Sequence, residues 1–184
     1  LPFIAQCPPC LIGMEACSGA HYWGREFKKL GHQVAIIAAQ FIKPYRKGGK
    51  NDSNDALAIC EAASRPGIWH VPVKSADQQA VLCLHRVRQG LVRDRTGLIN
   101  QLRGLLSEFG IVMPKGRYPA QQAIPSILED AGNGLPMLAR RMIDDLWQRI
   151  QQAKQQILAY DRELAQLVRT DERAKRLMTI PGIG

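Results

Sequence analysis

The feature that most constrains this chain is a seam of apolar residues near its end. Ile143, Leu146 or Trp147, Ile150, Ala153, Ile157, Tyr160 or Asp161, Leu164 and Leu167 follow one another at steps of three and four. An α-helix brings such positions onto one face. The spacing predicts a helix over about 136–169, long enough to suggest a coiled coil. A second run, Val81, Leu84, Leu91, Leu98, Leu102, Leu105 and Phe109, predicts another long helix that starts near Ser75 and stops at Gly110 and Pro114. Ser75 and Gln78 have the spacing of a reciprocal amino-terminal cap. Gly90, Gly97 and Gly104 each cost such a helix about 1 kcal/mol relative to alanine. They are expected to admit another helix at close range. Residues 115–135 read as loop-rich, with a shorter helix near 120–131. The two long helices should form an antiparallel hairpin or a dimerising arm.

The first third is patterned differently. Residues 10–14 (Cys-Leu-Ile-Gly-Met) and 33–39 (Gln-Val-Ala-Ile-Ile-Ala-Ala) are short apolar runs that read as buried strands. A helix over about 20–30 separates them and ends at Gly31. Strand, helix, strand in that order predicts parallel strands joined by a crossover helix. Residues 41–50 read as a basic loop carrying Lys43, Arg46, Lys47 and Lys50 and loosened by Gly48 and Gly49. A helix from Asn51 or Asp52 to about Ser64 should follow, stopped by Pro66 and Gly67. Residues 68–73 form a short extended piece broken by Pro72. The expected class is α/β, with segments 1–74, 75–176 and 177–184.

Composition narrows the function classes. The chain has 184 residues, and 25 Lys and Arg against 16 Asp and Glu leave a net charge of +9. Such an excess points to an anionic partner. No run of eighteen apolar residues exists to span a membrane, and no charged start feeds an apolar signal core. The expectation is a soluble intracellular protein without a membrane partner. Five cysteines are an odd number. Cys7 and Cys10 have CxxC spacing but no second pair, and Cys17, Cys60 and Cys83 stand apart, so ordinary reduced thiols are expected. The first residue is not Met, and Ile180-Pro181-Gly182-Ile183-Gly184 is a turn signal that should lead onward. Both suggest part of a larger protein.

Three carboxylates stand out. Glu15 closes the first strand, and in α/β folds ligands gather outside strand ends. Asp52 and Asp55 sit at i and i+3 at a helix start, so both can face one side. The helix dipole alone would favour acids there, but it does not account for the basic loop just ahead. Lys43, Arg46, Lys47 and Lys50 are suited to hold a phosphate backbone beside those acids. Glu15, Asp52 and Asp55 are hard oxygen donors of the kind magnesium prefers, and manganese fits them equally. Farther on, Arg86 and Arg93 are seven apart, as are Arg88 and Arg95. With Arg103 they form a basic stripe suited to phosphates, of DNA or of an A-form RNA helix. His21 follows Glu15 by six residues and is a lesser site candidate. His32 and His70 read as incidental, and Trp23, Trp69 and Trp147 as core or interface packing.

Several stretches together resemble one family. Ile12-Gly13-Met14-Glu15-Ala16-Cys17-Ser18-Gly19-Ala20-His21 resembles the second acidic motif of the DEDD-type bacterial insertion-sequence transposases. Lys50-Asn51-Asp52-Ser53-Asn54-Asp55-Ala56 resembles their paired-aspartate motif. The stretches 84–88, 93–96 and 100–110 resemble the basic helix that follows. Ile180-Pro181-Gly182-Ile183-Gly184 resembles the opening of their transposase-20-like carboxy-terminal domain. The likeness covers nearly the whole chain in the expected order.

That resemblance implies a RuvC-like amino-terminal domain of ribonuclease H-like fold, with four acids holding divalent metal. Glu15, Asp52 and Asp55 match three of them. The first aspartate belongs to an opening Gly-hydrophobic-Asp strand that this sequence lacks. A nucleophilic serine belongs to the carboxy-terminal domain, and Ser18, Ser53 and Ser107 do not replace it. The implied protein is a recombinase that excises and inserts a circular element, acting on DNA in the bacterial cytoplasm at the nucleoid. A structured non-coding guide RNA is further implied, while self-association is expected from the long seam itself. The alternatives are a non-catalytic DNA- or RNA-binding and oligomerisation module, a purely structural coiled coil, and a thiol-redox enzyme built on Cys7 and Cys10.

Overall fold

A computed structural model of the chain describes residues 2–49 and 51–183. They divide into two compact units, one reaching Val81 and the other starting at Leu82.

The first unit runs α1 (Pro2–Gln6), β1 (Leu11–Glu15), α2 (Ala20–Lys29), β2 (Gln33–Ile37), α3 (Ala39–Ile42), a 3-10 turn over Lys43–Tyr45, α4 (Asp52–Ser64), β3 (His70–Val71) and the start of α5 (Ala76–Ser107). β1 and β2 are parallel, with Leu11 opposite Gln33 and Glu15 opposite Ile37. The crossover through α2 is as the strand, helix, strand pattern predicted. β3 adds an antiparallel edge, pairing Ile36 with Val71, in the order β1-β2-β3.

Both sheet faces are covered, which is why β2 is continuously apolar rather than alternating. Ala35 and Ile37 pack with Ile42, Ala58 and Ala62 beneath α3 and α4. Ile36 points the other way, toward Gly24 of α2. β1 passes so close to α4 that a Cβ on Gly13 would lie 3.0 Å from Ile59 Cγ2 and 3.1 Å from Ala63 Cβ.

Several local expectations are corrected. The strand expected to reach residue 39 ends at Ile37, because Ala39 opens α3. The loop expected over 41–50 is helical as far as Tyr45, since Pro44 fits the first turn of the 3-10 segment. His32 is not incidental. It is buried, with Nε2 3.1 Å from the Ile4 carbonyl and Nδ1 3.3 Å from the Cys10 amide. A ring donating at Nε2 and accepting at Nδ1 ties α1 and the entry to β1 onto β2. All five cysteines are free thiols. Trp147 packs against the helical core, whereas Trp23 and Trp69 are exposed rather than core residues.

The second unit holds the rest of α5, then α6 (Arg117–Glu129), α7 (Met137–Thr170) and α8 (Glu172–Met178). α5 opens with the expected reciprocal cap: Ser75 Oγ accepts from the Gln78 amide at 3.1 Å, and Gln78 Oε1 accepts from the Ser75 amide at 3.0 Å. The core joins Ile99, Leu102 and Leu106 of α5, Ala120 and Ile124 of α6, and Ala139, Ile143, Leu146 and Ile150 of α7. Within the second unit an ion pair joins Arg88, in the first half of α5, to Asp161 in the far part of α7, so these two helices run antiparallel. α6 contributes to the same core, making a three-helix arrangement instead of a bare hairpin. The α7 seam is buried from Ile143 to Ile157, half-buried at Leu164 and exposed at Leu167. Gly90, Gly97 and Gly104 do not admit a helix as expected, because a Cβ at each would meet nothing within 4 Å.

Candidate functional site

The carboxylates are positioned by the sheet and by α4. Glu15 is the last residue of β1, half-buried, directly opposite Ile37 at the end of β2. The chain leaves β2 at that same end of the sheet. It then passes through α3 and the 3-10 turn to Arg46, whose Nε lies 2.7 Å from Asp55 Oδ1. Both atoms are shielded from solvent, and the contact is a close charge pair rather than an aligned hydrogen bond. Asp52 and Asp55 occupy the first turn of α4. Asn51 caps it by accepting from the Asn54 amide at 2.8 Å. Asp52 is exposed and Asp55 half-buried, because the α4 face carrying Ala58 and Ala62 turns onto the sheet.

The donors are hard oxygens suited to magnesium or manganese. Among the described residues, however, no group of three His, Cys, Asp or Glu side chains stands together to hold an ion. Magnesium is commonly held by one or two protein carboxylates, with phosphate oxygens and water completing its shell. The acids fit that arrangement better than a preformed protein cage.

The basic residues separate into distinct groups. Lys43 and Lys47 are exposed, and Lys50 lies outside the described residues. Lys47, Tyr45, Asn54, Glu61 and Arg65 line a cavity of about 330 Å3 beside α4. There Arg65 pairs with Glu61, and its guanidinium lies 5.9 Å from the Tyr45 ring centroid. On α5 the seven-residue repeat yields two faces. Arg86 and Arg93 are exposed. Arg88 turns inward to Asp161, and Arg95 is only 8% exposed. Burial lowers the Arg95 pKa, as do the nearby Arg117 and Arg88, while Asp161 opposes them. Arg103 donates to the carbonyls of Pro114 (3.1 Å) and Gly116 (2.7 Å), stapling the loop after α5. Sequence reasoning assigned all five arginines to one stripe. It had no signal separating those aimed at solvent from those consumed by the fold.

Sequence reasoning also passed over Arg140. It donates to Asp130 O and Asn133 Oδ1, both at 2.9 Å, and holds the end of α6. His21, a lesser candidate, lies on the first turn of α2. Its Nδ1 accepts from the Lys74 amide at 3.3 Å, and its Nε2 lies 3.2 Å from Lys74 Nζ.

Glu15 thus ends the parallel pair, and Asp52 and Asp55 open the helix packed on it. The family model of the IS110-type DEDD transposases, described as "Transposase", matches residues 3–111. The chain belongs to that family. It is 48% identical over 99% of its length to a "Probable family 20 transposase" of Pseudomonas aeruginosa, covering 54% of that protein. It is 45% identical over 99% of its length to the transposase for insertion sequence element IS1328 of Yersinia enterocolitica, again covering 54%. With the transposase for IS1111A of Coxiella burnetii the identity is 39% over 95% of the chain, covering 48% of the relative. The chain therefore spans about half the length of the curated relatives it matches. No solved structure is significantly similar to it.

Proposed function

We propose that the chain is part of a DNA transposase that cleaves and rejoins DNA with the help of divalent metal, magnesium or manganese. The observation that carries this reading is the family match over residues 3–111, which includes all three acids and the exposed arginines of α5. In this reading Glu15, Asp52 and Asp55 are the carboxylates directed at metal, and DNA phosphates complete its coordination. The metal supplies charge neutralisation at the scissile phosphate. The chain itself supplies the acids, the Arg46 contact that orients Asp55, and cations that hold the backbone: Lys43, Lys47, Lys50, Arg86 and Arg93. The serine nucleophile comes from a carboxy-terminal domain for which residues 177–184 are the approach. The first unit is read as ribonuclease H-like and the second as a self-associating, coiled-coil-like arm, consistent with the seam left uncovered at Leu167. The protein acts in the bacterial cytoplasm at the nucleoid, with a structured guide RNA as a further partner.

The alternative is a non-catalytic nucleic-acid-binding and oligomerisation module, supported by the exposed Arg86 and Arg93 of α5 and the α7 seam exposed at Leu167. The two readings separate in a calorimetric titration of magnesium or manganese into the chain, alone and with a DNA duplex. The catalytic reading expects ion binding in the presence of DNA that Asp52→Ala/Asp55→Ala abolishes. A double variant that binds ion and DNA like the parent would leave only the docking module.

A further inference from the structure

Alongside α2 lies an open groove of about 530 Å3. Arg25, Lys28 and Lys29 line it from α2, and Lys74, Ser75 and Gln78 from the segment entering α5. Four of these side chains are cationic and none is a carboxylate. The neighbouring acids are Glu26, paired with Lys29 at 2.7 Å, and Asp77 in the first turn of α5. Four cations against two acids leave a net charge of +2. The Lys29 side chain is 69% exposed, so its ion pair is weak and readily exchanged for another anion.

The groove is fixed by packing. A Cβ on Gly24 would lie 3.1 Å from Val73 Cγ2, so α2 and the segment after β3 are pressed together at its base. Arg25 Nη1 donates to the Lys74 carbonyl at 2.9 Å and ties the two sides together. The cavity beside α4 differs: its Arg65 is already neutralised by Glu61.

We propose that this groove is a docking track for the phosphate backbone of duplex DNA, additional to the cations beside the acids. The inference rests on the transposase reading above. It adds Lys28 and Lys29 as phosphate contacts; Lys74, whose Nζ lies 3.2 Å from His21 Nε2, and Arg25, bonded to the Lys74 carbonyl, fix the far wall and add to its positive charge. The shape suits a polymer. At 1.5 Å per residue, Arg25 and Lys29 are spread over about 6 Å along the helix axis, in a groove that is open rather than closed around a single anion. One DNA strand presents a charge about every 3.4 Å of duplex axis.

The test is fluorescence anisotropy of the chain with a labelled DNA duplex over a range of salt. Lys28→Gln/Lys29→Gln changes two exposed side chains, and its helicity is compared with the parent by circular dichroism. Each lost phosphate contact lowers the slope of log affinity against log salt by about 0.9. The double variant is therefore expected to lose about 2 from the slope and to bind at least about tenfold more weakly near 0.1 M salt. Lys28→Arg/Lys29→Arg is expected to keep both. If the parent binds DNA and the glutamine variant matches it in affinity and slope, the groove is not a DNA track and the transposase reading stands. If the parent binds no DNA even at low salt, that reading falls and the groove with it. If these lysines contribute only to an A-form RNA duplex run in parallel, the DNA assignment is overturned.

Discussion

Gly13 shows how one residue sets the distance between a strand and the helix that carries two acids. With 3.0 Å and 3.1 Å to Ile59 and Ala63, a methyl group there requires α4 to give by a few tenths of an ångström. Gly13→Ala is expected to destabilise the chain by about 1–3 kcal/mol, an overpacking cost, measured by urea denaturation. An unchanged midpoint would mean that α4 does not press on β1. Arg95 makes the opposite case. It is buried, its Nε lacks a hydrogen-bond partner, and Arg88 and Arg117 lie in its field. Replacing a poorly compensated buried charge by an apolar side chain of similar length is commonly neutral or stabilising. Arg95→Met is therefore expected to leave stability unchanged or to raise it by about 1 kcal/mol. A loss of several kcal/mol would show that the guanidinium is fully satisfied. These details were not legible in the sequence. Nothing local distinguishes Arg95 from Arg93, because the difference is which side of α5 meets α6 and α7.

At the scale of elements, much was legible where a period repeats. The α7 seam was readable because steps of three and four continue through Ile143, Ile150 and Ile157, and those residues are buried. The parallel strands were readable from two apolar runs flanking a helix. The short α1, α3 and α8 were not, since one or two turns carry too few positions to show a period. The α5 glycines were read as contact points, but each faces open space. Gly97→Ala should therefore remove a helix-interior glycine without a clash and stabilise the chain by about 0.5–1 kcal/mol in thermal or urea unfolding. A destabilised variant would mean that another surface covers that face.

The start of α8 offers a pH test. Asp171 has its carboxyl held below the ordinary range, first by the Arg173 side chain and then by the backbone amides of Ala174 and Arg173. Because the folded value is depressed, its contribution is present above the ordinary carboxylate value and is lost as pH falls through the folded one. Protection of the Arg173 and Ala174 amides, taken relative to intrinsic exchange at each pH, is expected to fall only at acid pH, and Asp171→Asn to remove that pH dependence. An equal fall in protection in both proteins would contradict the capping role.

For the whole molecule, the family was legible from four motifs in order, whereas the working state of the acids was not. Their types and spacing are local properties. How close Glu15 comes to the α4 acids depends on packing, and the charge on Asp55 is shared with Arg46. In the proposed function Glu15, Asp52 and Asp55 serve DNA chemistry together. The most direct measurement is an excision assay with the protein extended to the full length of its curated relatives, in magnesium or manganese. Glu15→Gln, Asp52→Asn and Asp55→Asn are tested singly, with DNA binding followed in parallel. Each variant is expected to lose about 10–100-fold of its excision while still binding DNA. Excision within about twofold of the parent in any of the three would contradict it.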